Sequence, residues 1–167
     1  YESGELDPAY AVDAFVDNPA EWLDSDMDGI GNNADSDDDD DGISDNMETS
    51  GPNNGDSNRD GISDALQSHV VCFRAYTGQD FIVIESPEGT TLSNCQATGN
   101  PSLSDMPDGL SFPFGFFDFT INNIENNGPA VLKITLPADQ RPDTYYKYGR
   151  TPGEAKDHWY EFLYDFH

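Results

Sequence analysis

Residues 24–48 read DSDMDGIGNNADSDDDDDGISDNME, and the spacing of the acids in this stretch decides how the first part of the chain is built. A calcium ion takes six to eight oxygens, and a twelve-residue loop supplies them from positions 1, 3, 5, 7, 9 and 12, with Gly at position 6 for the sharp turn. Position 7 gives only its carbonyl, so its side chain is free to be apolar. The first loop fits this template with Asp24, Asp26, Asp28, Gly29, the Ile30 carbonyl, Asn32 and Asp35. The second fits with Asp37, Asp39, Asp41, Gly42, the Ile43 carbonyl, Asp45 and Glu48, where Glu48 can bind through both oxygens.

A third Asp-Gly-Ile lies downstream. Asp56, Asn58, Asp60, Gly61, the Ile62 carbonyl, Asp64 and Gln67 fill the same template, with neutral Gln67 making this the weakest of the three sites. Loops with Gly at position 6 and Ile at position 7, three times over, predict several calcium ions, three or more. Carboxylates and carbonyls without nearby His or Cys disfavour zinc and copper. Magnesium keeps its waters and has little use for such a cage.

The chain has 167 residues, 33 of them acidic and 7 basic, for a formal net charge of −26. A chain so charged is expected to avoid nucleic acid and anionic membrane surfaces, because both carry the same sign. No apolar stretch is long enough to span a bilayer, so no direct membrane insertion is expected. An acidic run is ordinarily a solvated tail, but here the acids are spaced as ligands. Bound cations would order a segment that has almost no core of its own.

Composition changes near residue 68. Before it, one short helix is expected over Ala20–Leu23, with Pro19 at its first position. After it, Val70–Tyr76, Phe81–Glu85, Thr91–Ala97, Leu110–Ile121, Ala130–Leu136, Tyr145–Tyr148 and Trp159–Tyr164 read as strands broken by Gly, Pro and Asn turns. The fold class expected is mainly β. Residues 1–55 form an extended calcium-binding region lacking regular secondary structure, and 56–167 an antiparallel β-sandwich that opens with the third loop. Paired EF-hands and dockerins are not expected, since they need helices flanking each loop.

Cys72 and Cys95 are expected to form a disulfide in an oxidising compartment, the alternative being two buried free thiols. Phe112, Phe114 and Phe116 alternate, which places them on one strand face and in the core. Tyr145, Tyr146, Tyr148, Trp159 and Tyr160 are expected nearer the surface, where they suit a subunit interface or a carbohydrate groove. His69, His158 and His167 lie in no nucleophile elbow, zinc-protease helix or phosphate loop. No enzymatic activity is expected.

The stretch 24–48, with DAFVDNPAEWLDSD at 13–26 before it, resembles bacterial thrombospondin type 3 repeats. The second half resembles the bacterial choice-of-anchor U domain through NRDGISDALQ at 58–67, Asn100-Pro101-Ser102, GLSFPFGFFDFTI at 109–121, YYKYGRTP at 145–152 and HWYEFLYD at 158–165. These resemblances imply an extracellular protein of a bacterial cell surface, structural or adhesive. The anchor family's pattern continues past the point matched by His167, which implies an open sheet edge. Strand sharing with a second copy or a neighbouring surface protein would complete that edge, giving a filament subunit. The alternative expectation is a calcium-stabilised adhesin that binds carbohydrate or another ligand.

Overall fold

Alternation of side chains across a strand sends successive residues to opposite faces, and the apolar run from residue 70 buries both of them. The computed structural model describes residues 13–78, 80–125, 128–137 and 142–162. In it β1 (Val70–Arg74) pairs antiparallel with β2 (Phe81–Glu85), setting Val71 opposite Ile84 and Phe73 opposite Ile82. These four side chains face one cluster, while Val70, Cys72 and Val83 form a second. A short β5 (Lys133–Thr135) closes the other side of β2 and makes a three-stranded sheet in the order β1-β2-β5.

A hairpin of β3 (Thr91–Thr98) and β4 (Phe116–Asn122) supplies the facing layer. Its Leu92 and Cys95 join Val71, Phe73, Ala75, Ile82, Ile84 and Phe114 in the main cluster, with Phe117, Phe119 and Ile121 packed against it. Full burial of each such side chain is worth ~1.5–3 kcal/mol, so this cluster is the main apolar source of stability. The β3–β4 register shifts between Ser93 and Gln96, with Asn94 at φ 55°. Such a bulge releases a backbone N–H from the ladder. A third sheet is the hairpin of β6 (Tyr146–Thr151) and β7 (Glu154–Glu161), turned at Pro152-Gly153.

The protein is mainly β, as its sequence predicts. The described strands form one three-stranded sheet and two hairpins, smaller pieces than the two full sheets of a sandwich. Phe81–Glu85 falls where expected, whereas β4 begins at Phe116 rather than Leu110. A turn closed by Gly115 N–H to the Phe112 carbonyl, with Gly115 at φ 76°, precedes it. Phe114 is consequently buried in the main cluster, but Phe112 leaves it to stack on Trp159. The end of the last expected strand, Leu163 and Tyr164, lies outside the described residues, as does His167.

Two further expectations are corrected. Cys72 and Cys95 are both buried and both free. They sit in separate clusters, Cys72 with Val70 and Val83, Cys95 with Val71 and Phe73, so the β1–β2 layer lies between their environments. The cysteines therefore carry no argument for an oxidising compartment. Residues 20–23 are not helical. Nucleating so short a helix costs more than its few bonds return, and the Glu21 carboxylate is drawn instead to Asn33, whose backbone N–H it accepts at 3.2 Å.

Candidate metal centre

The three Asp-Gly-Ile loops share one hydrogen-bond scheme. The position 1 carboxylate accepts the N–H of the position 6 glycine: Asp24 from Gly29 at 3.2 Å, Asp37 from Gly42 at 3.1 Å, Asp56 from Gly61 at 3.2 Å. The position 3 side chain accepts the N–H of position 5, in the pairs Asp26–Asp28, Asp39–Asp41 and Asn58–Asp60. Position 5 in turn accepts the N–H of Ile30, Ile43 and Ile62. Gly29, Gly42 and Gly61 stand at φ 94°, 100° and 96°, a region that side-chain-bearing residues resist. Met27, Asp40 and Arg59 at position 4 also take positive φ.

Position 9 makes the same backbone contact in all three loops. Asn32, Asp45 and Asp64 each accept the backbone N–H of position 2, from Ser25, Asp38 and Ser57 at 2.9–3.0 Å. These bonds brace the loop. From Asp45 the chain enters a single helical turn, α1 (Asp45–Thr49), and from Asp64 a 3₁₀ turn, Asp64–Leu66. The flanking helices of an EF-hand are thus reduced to single turns, after the second and third loops and, as a 3₁₀ turn at Pro52–Asn54, before the third.

Oxygens that can hold a cation gather in the first two loops. Asp24, Asp26 and Asp28 form one group and Asp37, Asp39 and Asp41 another, each with ligand oxygens within 4.8 Å of one another. Two carboxylates ~4 Å apart repel by ~4 kcal/mol near a protein surface. In the second loop this happens under cover: Asp39 is 4% exposed, and Asp41 and Glu48 are fully buried. Four of its oxygens, Asp37 Oδ1, Asp39 Oδ2, Asp41 Oδ2 and Glu48 Oε2, are buried with no hydrogen-bond partner. They come from positions 1, 3, 5 and 12 of the calcium template.

The electrostatics say the same. Burial, reinforced by Asp41 and Asp39, pushes the Glu48 carboxyl up to about 10. Asp39 and Asp41 are also raised, by burial first and by neighbouring carboxylates after it. Buried acids without a counter-charge hold their protons unless a cation compensates them. The residues fit a divalent metal ion of oxygen preference. The group whose oxygens converge is Asp37, Asp39 and Asp41. Glu48 could add one oxygen rather than the two its sequence position suggests, since Oε1 is engaged by the Cys72 N–H and only Oε2 has no partner.

The first loop is more open. Only Asp24 Oδ1 among its ligand oxygens is buried and unpartnered, and Asp35 at position 12 accepts the N–H groups of Ser36 and Asp37 at the start of the next loop. In the third loop Asp60 behaves oppositely to Asp41. Burial raises its carboxyl, but hydrogen bonds from Gln67, Ile62 and Asn58 outweigh that and hold it below the ordinary range.

Long-range contacts weld the second loop to the β layers. Cys95 N–H, freed by the β3 bulge, donates to the Asp41 carbonyl at 2.9 Å. A Cβ on Gly42 would stand 2.9 Å from that same nitrogen. Ile43 and Met47 pack against the main cluster. On the other side Glu48 covers an N–H of β1, an edge strand of its sheet, one way of protecting an edge from pairing with another chain. Nothing in the local sequence signals these contacts, which join residues far apart in the chain.

The surface aromatics are largely engaged with one another. Trp159 stacks on Phe112 with ring centroids 5.6 Å apart, meets Phe116 at 5.4 Å and Tyr148 at 5.1 Å, and donates its Nε1–H to the Ser102 carbonyl. His158 turns Nδ1 to the Lys156 carbonyl and packs on Tyr160. Among the described residues no helix is long and apolar enough to cross a membrane. Set against protein-family models, curated proteins and solved structures, the chain matches none. The functional reading accordingly rests on the geometry of the loops.

Proposed function

We propose that this chain is a calcium-binding structural module of an extracellular, bacterial-surface protein, without catalytic activity, and that the cation of the second loop serves as part of its core. The observation that carries this is the set of four buried, unpartnered oxygens of Asp37, Asp39, Asp41 and Glu48. No apolar residue could fill their place, because each needs a positive partner. An all-oxygen donor set of carboxylates with the Ile43 carbonyl suits calcium over softer metals. Sites in extracellular modules have Kd ~10⁻⁴–10⁻³ M, which extracellular calcium fills and cytosolic calcium does not.

Function in this reading is mechanical. Cations at the first two loops convert a self-repelling polyanion into an ordered segment, and the second loop transmits that order to β1 and β3 through Glu48 and Asp41. Thermal unfolding in calcium, in magnesium and in chelator tests it. At a calcium concentration about a hundred-fold above Kd, one site stabilises the fold by ~2.7 kcal/mol, or about 5–10 °C for a domain of this size. Magnesium at equal concentration gives a smaller shift. A melting temperature indifferent to calcium sinks the reading.

A further inference from the structure

The third loop shares the backbone of the other two, but its carboxylates at positions 1 and 5 have partners on both oxygens. Its buried unpartnered oxygens are Ser57 Oγ and Gln67 Oε1. At position 1, Asp24 Oδ1 and Asp37 Oδ1 are buried without partners, whereas Asp56 Oδ1 accepts the backbone N–H of Asp60 at 3.0 Å. At position 5, Asp41 Oδ2 is buried and unpartnered, whereas Asp60 Oδ2 accepts two side-chain amides, Asn58 Nδ2 and Gln67 Nε2, each at 2.8 Å. Those amides come from positions 3 and 12, where the second loop has Asp39 and Glu48. Where the second loop has two further carboxylates, the third has two amide donors to Asp60.

We infer that the third loop is a cation-independent copy of the other two, in which Asn58 and Gln67 supply from within the positive partners that calcium supplies elsewhere. The inference rests on the proposed loading of the first two loops. It makes Asn58 and Gln67 the residues that decide which loops take a cation. Gln67 Oε1 is left buried and unpartnered, but turning the amide over would set that oxygen against the Asp60 carboxylate. The arrangement has a structural use. Asp64 N–H donates to the Gly55 carbonyl at 2.7 Å and Val70 N–H to the Gln67 carbonyl at 2.7 Å, so this loop leads directly into β1. A loop that keeps its shape without calcium holds the entry to β1 while the second loop empties.

Native mass spectrometry of the whole chain in calcium tests this, comparing the wild type with the double variant Asn58→Asp, Gln67→Glu. The wild type is expected to carry one ion at each of the first two loops, and the variant one ion more. A wild type already loaded at all three loops, or a variant that gains no ion, overturns the inference. An unloaded wild type whose variant nevertheless takes one ion upholds the roles of Asn58 and Gln67 while refuting calcium at the first two loops. Should the variant misfold, hydrogen exchange of the wild type decides the matter. The Gly61 and Ile62 amides are expected to exchange at the same rate in calcium and in chelator, and a chelator-dependent loss of their protection overturns the inference.

Discussion

Glu48 Oε1 accepts the backbone N–H of Cys72 at 3.0 Å across 24 residues of chain, while its Oε2 is buried with no partner. One carboxylate thus has an oxygen on the β-sheet and, in the proposed function, an oxygen for the cation. Replacement by Gln keeps the shape and removes the charge. Glu48→Gln is expected to weaken calcium binding at the second loop ten-fold or more, which is about 1.4 kcal/mol. In chelator the same variant is expected to be at least as stable as the wild type, because it removes a buried uncompensated acid. Calorimetric titration and thermal melts of both proteins check the two signs together.

Proton and cation compete for the same oxygens. Glu48 is raised from an ordinary 4.5 to about 10, so in the cation-free protein the folded state binds more protons than the unfolded one between those values. Stability then falls as pH rises through that window. The calcium-free fold is expected to be most stable below about pH 4.5 with respect to this group, and to weaken progressively above it. Calcium affinity is expected to rise over the same range, with proton release on binding. Denaturant melts in chelator across pH, and calorimetry in buffers of different ionisation enthalpy, measure these.

Two glycines of identical loop position are expected to respond unequally. Gly29 and Gly42 both need positive φ, but a Cβ on Gly29 meets nothing within 4 Å, while one on Gly42 meets the Cys95 nitrogen at 2.9 Å. Gly29→Ala is expected to cost only the backbone strain, ~1–2 kcal/mol. Gly42→Ala adds a displaced β3 bulge and is expected to cost clearly more, with loss of the Cys95 to Asp41 hydrogen bond. Chemical denaturation of both variants in saturating calcium compares them.

Burial pushes the Cys72 thiol up to about 12 and raises Cys95 likewise, so neither ionises at neutral pH. A reductant is expected to leave the melting temperature unchanged. Thiol reagents are expected to count both cysteines only after unfolding or calcium removal. Rapid labelling of the native calcium-loaded protein contradicts this placement, and a reductant-sensitive melt contradicts the free thiols.

The loops were legible in the sequence because their chemistry is local. Each ligand position, the glycine at position 6 and the apolar residue at position 7 lie within twelve residues, and φ of 94–100° at Gly29, Gly42 and Gly61 follows from them. Strand β2 was legible for a similar reason, as an apolar run between turn signals. The single α-helix among the described residues is at Asp45–Thr49 rather than Ala20–Leu23, because the second loop's own exit and its Met47 contact with the core hold it there. The pairing of Glu48 with Cys72, the docking of Asp41 on Cys95 and the separation of the two thiols depend on which strands meet in space. No spacing along the chain encodes these. Likewise the contrast between Asp41 and Asp60 depends on where the Asn58 and Gln67 amides turn, which residue type alone does not tell.

The most direct test of a cation built into the core is hydrogen exchange at two backbone amides, Cys72 and Cys95, followed by NMR in calcium and after chelation. These donate to Glu48 and to the Asp41 carbonyl, so their protection reports the second loop's hold on β1 and β3. The account predicts strong protection in calcium and a marked loss of it in chelator, larger than at the β1–β2 ladder amides. Equal protection at both amides in the two conditions would contradict it, leaving the second loop a fixed part of the fold that needs no metal.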